Sequence, residues 1–139
     1  MKYVLDVSIG LKWVLNEVDS AKALSLRDDY QNQVHELIAP DCFPLEAAHA
    51  LTRAERRRLI TDAAQFWGEI MAYSPLLFPS LPLAHQALAI SRQARIGFYD
   101  CLYVALAVRE GCELVTADTK LLLNLKPTFP FIIDLTSLP

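Results

Sequence analysis

Apolar positions along this chain alternate between short runs that suit a buried strand and spaced stripes that suit a helix. Residues 2–6 (KYVLD) read as a first strand, and residues 10–18 and 20–30 as helices broken near Asp19–Ser20, a pair suited to N-capping. ELIA at 36–39 is a short strand stopped by Pro40. A helix is predicted from about Pro44 to Arg57, because a proline in the first turn gives up an N–H that has no partner there anyway. Residues 61–73 form another helix, which Pro75 cannot continue. LLF at 76–78 is a strand between prolines. Residues 83–96 read as a helix closed by Gly97, and 99–110 as one closed by Gly111. ELVTA at 113–117 and the final FIIDL are the last strands.

This alternation predicts an α/β sandwich around a central, mostly parallel sheet. The first, fourth and last strands are nearly all apolar, as expected when helices cover both faces. The 139 residues carry no internal repeat, linker or composition break, so 1–139 reads as a single domain. A 53% hydrophobic and 21% charged composition excludes a disordered chain. No apolar run approaches the ~18–20 residues that span a bilayer. Asp6 and Lys12 interrupt the apolar start, so it reads as a mature strand and not a signal peptide, and the protein as cytoplasmic. The excess of apolar residues points to a covered surface, through a homodimer, a partner peptide or both. Cys42, Cys101 and Cys112 form no CxxC pair, which argues against a disulfide framework or a zinc site.

Four carboxylates change the picture. Asp6 ends the first strand and Asp118 ends ELVTAD. Glu46 interrupts the alanine-rich LEAAHAL, and Asp100 opens YDCLYVALAV. Each sits in or beside a segment that otherwise belongs inside, where a charge is costly unless compensated. Four converging acids repel one another, and a hard cation is the usual remedy. The arrangement therefore points to Mg²⁺ or Mn²⁺ chemistry on a phosphate ester. Each acid also has a plainer reading. Asp6 and Asp118 can cap the helices that follow them, although Ser8 can cap in place of Asp6. Asp100 can answer a helix dipole. Glu46 can share a solvated stripe with His49 and Arg53. Thr116 lies on the same side of its strand as Asp118, within reach of a carboxylate or a metal-bound water.

Other chemistries lack their residues. There is no GxSxG elbow, no glycine-rich phosphate loop, and no shared metal spacing among His35, His49 and His85. The net charge of −3 becomes +1 once the four acids are set aside, so clustering matters more than the total. Arg53, Arg56, Arg57 and Arg58 gather at the end of the helix carrying Glu46; Arg92 and Arg95 precede the one carrying Asp100. Arginines at a helix end can simply answer its dipole, or they can hold a nucleic-acid backbone.

YVLDVSIGLKWVLNE, LIAPDCFPLEAAHALTRAERR and IGFYDCLYVALAVREGCELVTADTKL occur in the order and spacing of a known family. The chain resembles the PIN-domain nucleases, and among them the VapC toxins of prokaryotic type II toxin–antitoxin systems. The resemblance covers nearly the whole chain, although 61–96 matches only in general character. It implies a PIN-like three-layer sandwich with a central five-stranded sheet. It places the family's acidic quartet on Asp6, Glu46, Asp100 and Asp118, and its polar companions on Ser8 and Thr116. His49 stands where many relatives carry Asn. The expected activity is Mg²⁺- or Mn²⁺-dependent endoribonuclease hydrolysis of RNA. Asp6, Asp100 and Asp118 would hold the metal, with Glu46 as a ligand or as the orienter of a bound water. His49, Arg53, Arg56 and Arg57 are the candidates for RNA contact. The implied partners are a cognate antitoxin and a second copy of the chain. A non-catalytic RNA-binding or interaction domain is the alternative. An aspartyl phosphotransferase is disfavoured, because position 8 is Ser and FIIDL has no lysine.

Overall fold

A computed structural model describes residues 1–139. Five strands lie in one sheet: β1 (Lys2–Leu5), β2 (Glu36–Pro40), β3 (Leu76–Phe78), β4 (Glu113–Thr116) and β5 (Ile132–Asp134). Their order is β3-β2-β1-β4-β5 and every pair is parallel. Seven helices cover the faces: α1 (Val7–Lys12), α2 (Ser20–Gln31), α3 (Phe43–Arg56), α4 (Ala63–Ala72), α5 (Ala84–Ala94), α6 (Phe98–Glu110) and α7 (Thr119–Leu125). This is the expected α/β sandwich with a five-stranded sheet. No helix is long and apolar enough to cross a membrane.

The chain builds β1, β2 and β3 outward on one side, then returns to add β4 and β5 on the other. The β1–β4 pair is therefore the topological switch point, where a crevice opens beyond the carboxyl ends of the strands. Val4 pairs with Leu114 and Leu5 with Val115. One residue further along that register, Asp6 stands beside Thr116.

Central position explains the apolar runs. Val4, Leu5, Leu114 and Val115 are fully buried, and so is the continuous stretch Cys101–Ala107 of α6. A helix apolar on all sides must be enclosed, and α6 packs against β1, β2 and α5. Gly10 of α1 faces Phe43 of α3 so closely that an added Cβ would stand 2.9 Å from the ring. The missing side chain lets the two helices that carry Asp6 and Glu46 at their starts approach one another.

Several boundaries differ from expectation. The first helix begins at Val7, because Asp6 caps it, and ends at Lys12, short of the predicted residue 18. Asp19 occupies the N-cap of α2 with a left-handed backbone and no side-chain cap bond. Residues 119–125 form α7, the helix that the capping reading of Asp118 called for and that the apolar pattern did not delimit. Gly97 does not close α5. The closing residue is Arg95, at φ 57°, and Gly97 is the extended residue before α6. Ile96 is buried between them, so the chain must turn early enough to point it inward. An L-residue in that left-handed conformation is strained, whereas glycine is not. Arg95→Gly is expected to stabilise the fold by about 0.5–1 kcal/mol, after glycine's own entropy cost. A higher urea midpoint at unchanged slope would register it.

Candidate active site

Asp6 leaves β1 3% exposed, with its N–H still donating to the Val115 carbonyl at 3.1 Å. Its carboxylate accepts from the Ser8 N–H at 3.4 Å, the Ser8 hydroxyl at 2.5 Å and the Thr116 hydroxyl at 2.8 Å. Both hydroxyls accept in turn from the exit of β4. The Ala117 N–H donates to Ser8 Oγ at 3.1 Å and the Asp118 N–H to Thr116 Oγ1 at 3.0 Å. The ends of β1 and β4 are thus laced together through Ser8 and Thr116. All donors to Asp6 meet on Oδ2, so Oδ1 is left without a hydrogen bond.

Asp118 repeats the pattern. It caps α7 through Oδ1, which accepts from the Lys120 and Leu121 N–H groups at 2.9 and 3.3 Å. Capping is therefore true of both strand-ending acids, with Asp6 and not Ser8 as the cap of α1. It uses only one oxygen of each.

Glu46 lies in the first turn of α3, half-buried, and accepts from the Cys42 thiol at 3.4 Å. Burial raises its pKa, the Tyr103 and Cys42 donors beside it lower it, and the Asp6 charge raises it again. Tyr103 is fully buried on α6, and its hydroxyl, leaning on Glu46, makes no hydrogen bond of normal geometry. Burial first, then the charges of Glu46, Cys42 and Asp6, push its ionisation far up, so it remains a neutral donor. Neither Cys42 nor Tyr103 emerged from the sequence as part of the site. The available signal was a tyrosine one helical turn after Asp100 in an otherwise aliphatic run, since a buried phenol needs a partner.

Asp100 opens α6, half-buried. Its pKa is raised to about 7, by burial first and then by the charges of Asp6, Glu46 and Asp118, with Lys120 partly offsetting them. For Asp6, burial also raises the pKa, against the lowering effect of Ser8 and Thr116, and the Asp118 charge adds to the rise. Asp100 therefore lies near enough to the other three acids, at the switch point, to feel the charge of each.

No three of these side chains close on a single point as ligands of one ion. The donor chemistry nonetheless fits a hard divalent cation. The set is all carboxylate, two of its members keep a free oxygen, and Mg²⁺ retains several waters, so it needs few direct protein ligands.

His49 is exposed and shares with Val7, Leu45, Glu46 and Tyr99 a groove of about 550 Å³. Arg53 and Arg57 line the next groove along α3, while Arg56 is exposed outside it.

The PIN domain family matches residues 3–124. Among solved structures, the chain is similar to PAE2754 from Pyrobaculum aerophilum, with 23% identity and a TM-score of 0.70 over 99% of this chain and 85% of that one. It is also similar to VapBC2 from Rickettsia felis bound to a DNA fragment from their promoter, with 17% identity and a TM-score of 0.61 over 96% of this chain and 97% of that one. At these identities the likeness is one of fold. No match is found among curated proteins.

Proposed function

We propose that this chain, which belongs to the PIN-domain family, is a divalent-metal-dependent endoribonuclease acting as the toxin of a toxin–antitoxin pair. The observation that carries the reading is Asp100, raised to about 7 among three further carboxylates at the switch point of a parallel sheet. Burial and mutual repulsion of these carboxylates support a cation among them.

When bound, Mg²⁺ or Mn²⁺ supplies a water of lowered pKa and neutralises charge on the phosphate. Asp6, through its free Oδ1, Asp100 and Asp118 would hold the ion. Ser8 and Thr116 occupy Oδ2 with their hydrogen bonds, which would leave Oδ1 for the ion. Glu46 would either join them or accept a hydrogen bond from a bound water, with its orientation set by the Cys42 thiol that donates to it and the neutral Tyr103 hydroxyl lying beside it. The RNA phosphodiester is the substrate.

A nuclease of this kind needs restraint. Leu45 and Tyr99, 73% and 58% exposed, share a groove with Glu46, and Leu81, 88% exposed, adjoins them in the next groove. They offer an antitoxin peptide an apolar seat from which a cationic side chain can reach the carboxylates. A homodimer would cover further apolar surface. The similar VapBC2 from Rickettsia felis is bound to a DNA fragment from their promoter.

The open ligand set favours one other reading, a non-catalytic RNA-binding PIN-like domain. Incubating the purified chain, freed of co-purifying peptide, with total cellular RNA separates the two. Cutting that needs Mg²⁺ or Mn²⁺ and stops with a chelator is the expected result. Well-folded protein that leaves every RNA class intact in both metals would replace the nuclease with the binding domain.

A further inference from the structure

We infer that the seam between α1 and α3 is a track for single-stranded RNA, running from the acidic site down to Arg53 and Arg57, with Tyr99 as a stacking platform at its head. The substrate class follows from the ribonuclease reading above; the track follows from the geometry of the flank.

α1 starts after Asp6 and α3 carries Glu46 in its first turn, so both helices begin at the carboxyl end of the sheet and pack side by side. Val7, Glu46, His49 and Ala50 line the seam at its head. Leu11, Ala50, Arg53 and Arg57 line its continuation. Ala50 belongs to both stretches, which therefore meet. From Glu46 to Arg57 a helix climbs ~16 Å at ~1.5 Å per residue, the reach of a few nucleotides of extended strand.

The charges suit a polyanion. Arg53, Arg56, Arg57 and Arg58 are all exposed. The ion pairs of the chain are Lys2–Glu110, Lys12–Glu17, Arg27–Asp28 and His35–Asp29, so none of these four guanidiniums is neutralised. Glu17, the acid bordering the lower groove, is already engaged by Lys12 at 3.8 Å. An acidic centre repels a phosphate backbone, and unpaired arginines about two to three turns along the same helix offset that repulsion where the strand leaves the site.

Tyr99 borders the upper groove beside Glu46 and is 58% exposed. Its ring stands edge-on to Phe98, with centroids 5.5 Å apart, which props it in place. A cationic groove joined to an exposed aromatic is the combination that binds single strands, whose bases are free to stack. A duplex keeps its bases inside and gains nothing from Tyr99.

The test is fluorescence anisotropy over a range of salt, in an Asp100→Asn background to prevent cutting. The probes are a short fluorescein-labelled single-stranded RNA and the same sequence as a blunt duplex. Replacing Arg53 and Arg57 together by Gln should weaken single-strand binding about tenfold. It should also flatten the slope of log K against log salt by about 1.4, or ~0.7 for each lost phosphate contact. Tyr99→Ala should weaken binding about tenfold with the slope unchanged. The duplex should bind more weakly and ignore Tyr99→Ala.

An unchanged salt slope in the arginine pair, with the circular dichroism of the parent, overturns the track and leaves the seam to a protein partner. Equal affinity for the duplex, or no affinity for the single strand, overturns it as well. A chain that shows this binding pattern but cuts no RNA refutes the ribonuclease reading and keeps the track. Metal-dependent cutting indifferent to the arginines does the reverse.

Discussion

In metal-free buffer above neutral pH, Asp100→Asn is expected to melt at a higher temperature than the parent chain, while cutting RNA at least on the order of 10²–10³-fold more slowly in saturating Mg²⁺. Both effects come from one carboxylate. Its pKa is about 7 in the folded chain against an ordinary 3.8. Between those values the native state holds more protons than the unfolded chain, so stability falls as pH rises. The stability associated with the protonated group is complete below 3.8 and is lost as pH passes through about 7. Asparagine mimics the neutral form at every pH. The variant should therefore match the parent near pH 4 and exceed it increasingly towards pH 8. Saturating Mg²⁺ should raise the parent's melting temperature and narrow the gap, since a ligand that binds only the folded state stabilises it. Thermal melts at three pH values, with and without Mg²⁺, test this independently of RNA. Equal melting of the two chains at pH 8 would show that Asp100 is not repelled by its neighbours. Undiminished cutting would remove it from the machinery.

The outline of the fold is legible in the sequence because its strands are short apolar runs beside turn residues. Local propensity failed where packing outweighed it. Gly97 carries the stronger signal for ending a helix, yet Arg95 turns the chain, because Ile96 has to be buried. α7 showed in the sequence only as the helix Asp118 could cap, without bounds, because TKLLLNL is only seven residues long and has polar positions within it. In the site, the four acids stand out because each is out of place in an apolar segment. What the sequence could not divide is the work of the two oxygens on each strand-ending acid. Capping and metal binding looked like rival readings of Asp6 and Asp118. The structure assigns capping to one oxygen and leaves the other open. Tyr103 and Cys42 were hidden for a different reason. Their apolar neighbours made them look like ordinary core; Cys42 meets Glu46 from one turn earlier in the chain, at the start of α3, and Tyr103 meets it only through the tertiary fold, from α6.

Thr116→Val is expected to destabilise the chain by about 2–4 kcal/mol at pH 8. Valine keeps the volume and the β-propensity of a fully buried strand residue. It removes a hydroxyl that donates to Asp6 at 2.8 Å and accepts from the Asp118 N–H at 3.0 Å. Losing a hydrogen bond to a buried carboxylate costs about 1.5–3 kcal/mol, and the stranded N–H adds about 1 kcal/mol more. The pH dependence identifies the cause. Asp6 is already raised above 3.8 by burial, and the Thr116 bond is one of the contacts that hold it down. Without that bond its folded pKa rises further, so more stability is lost as pH climbs through it. The deficit should be smallest below 3.8, where Asp6 is protonated in both states, and grow towards pH 8. Freed from Thr116, Asp6 should also present Oδ1 less reliably, and Mn²⁺ binding followed by calorimetry should weaken by about 10–100-fold. Thr116→Ser, which keeps the hydroxyl, should recover most of the metal affinity despite the lost methyl group. A deficit that stays flat with pH, or a serine variant no better than valine, would mean that Thr116 serves packing alone and that the lacing between β1 and β4 does not orient Asp6.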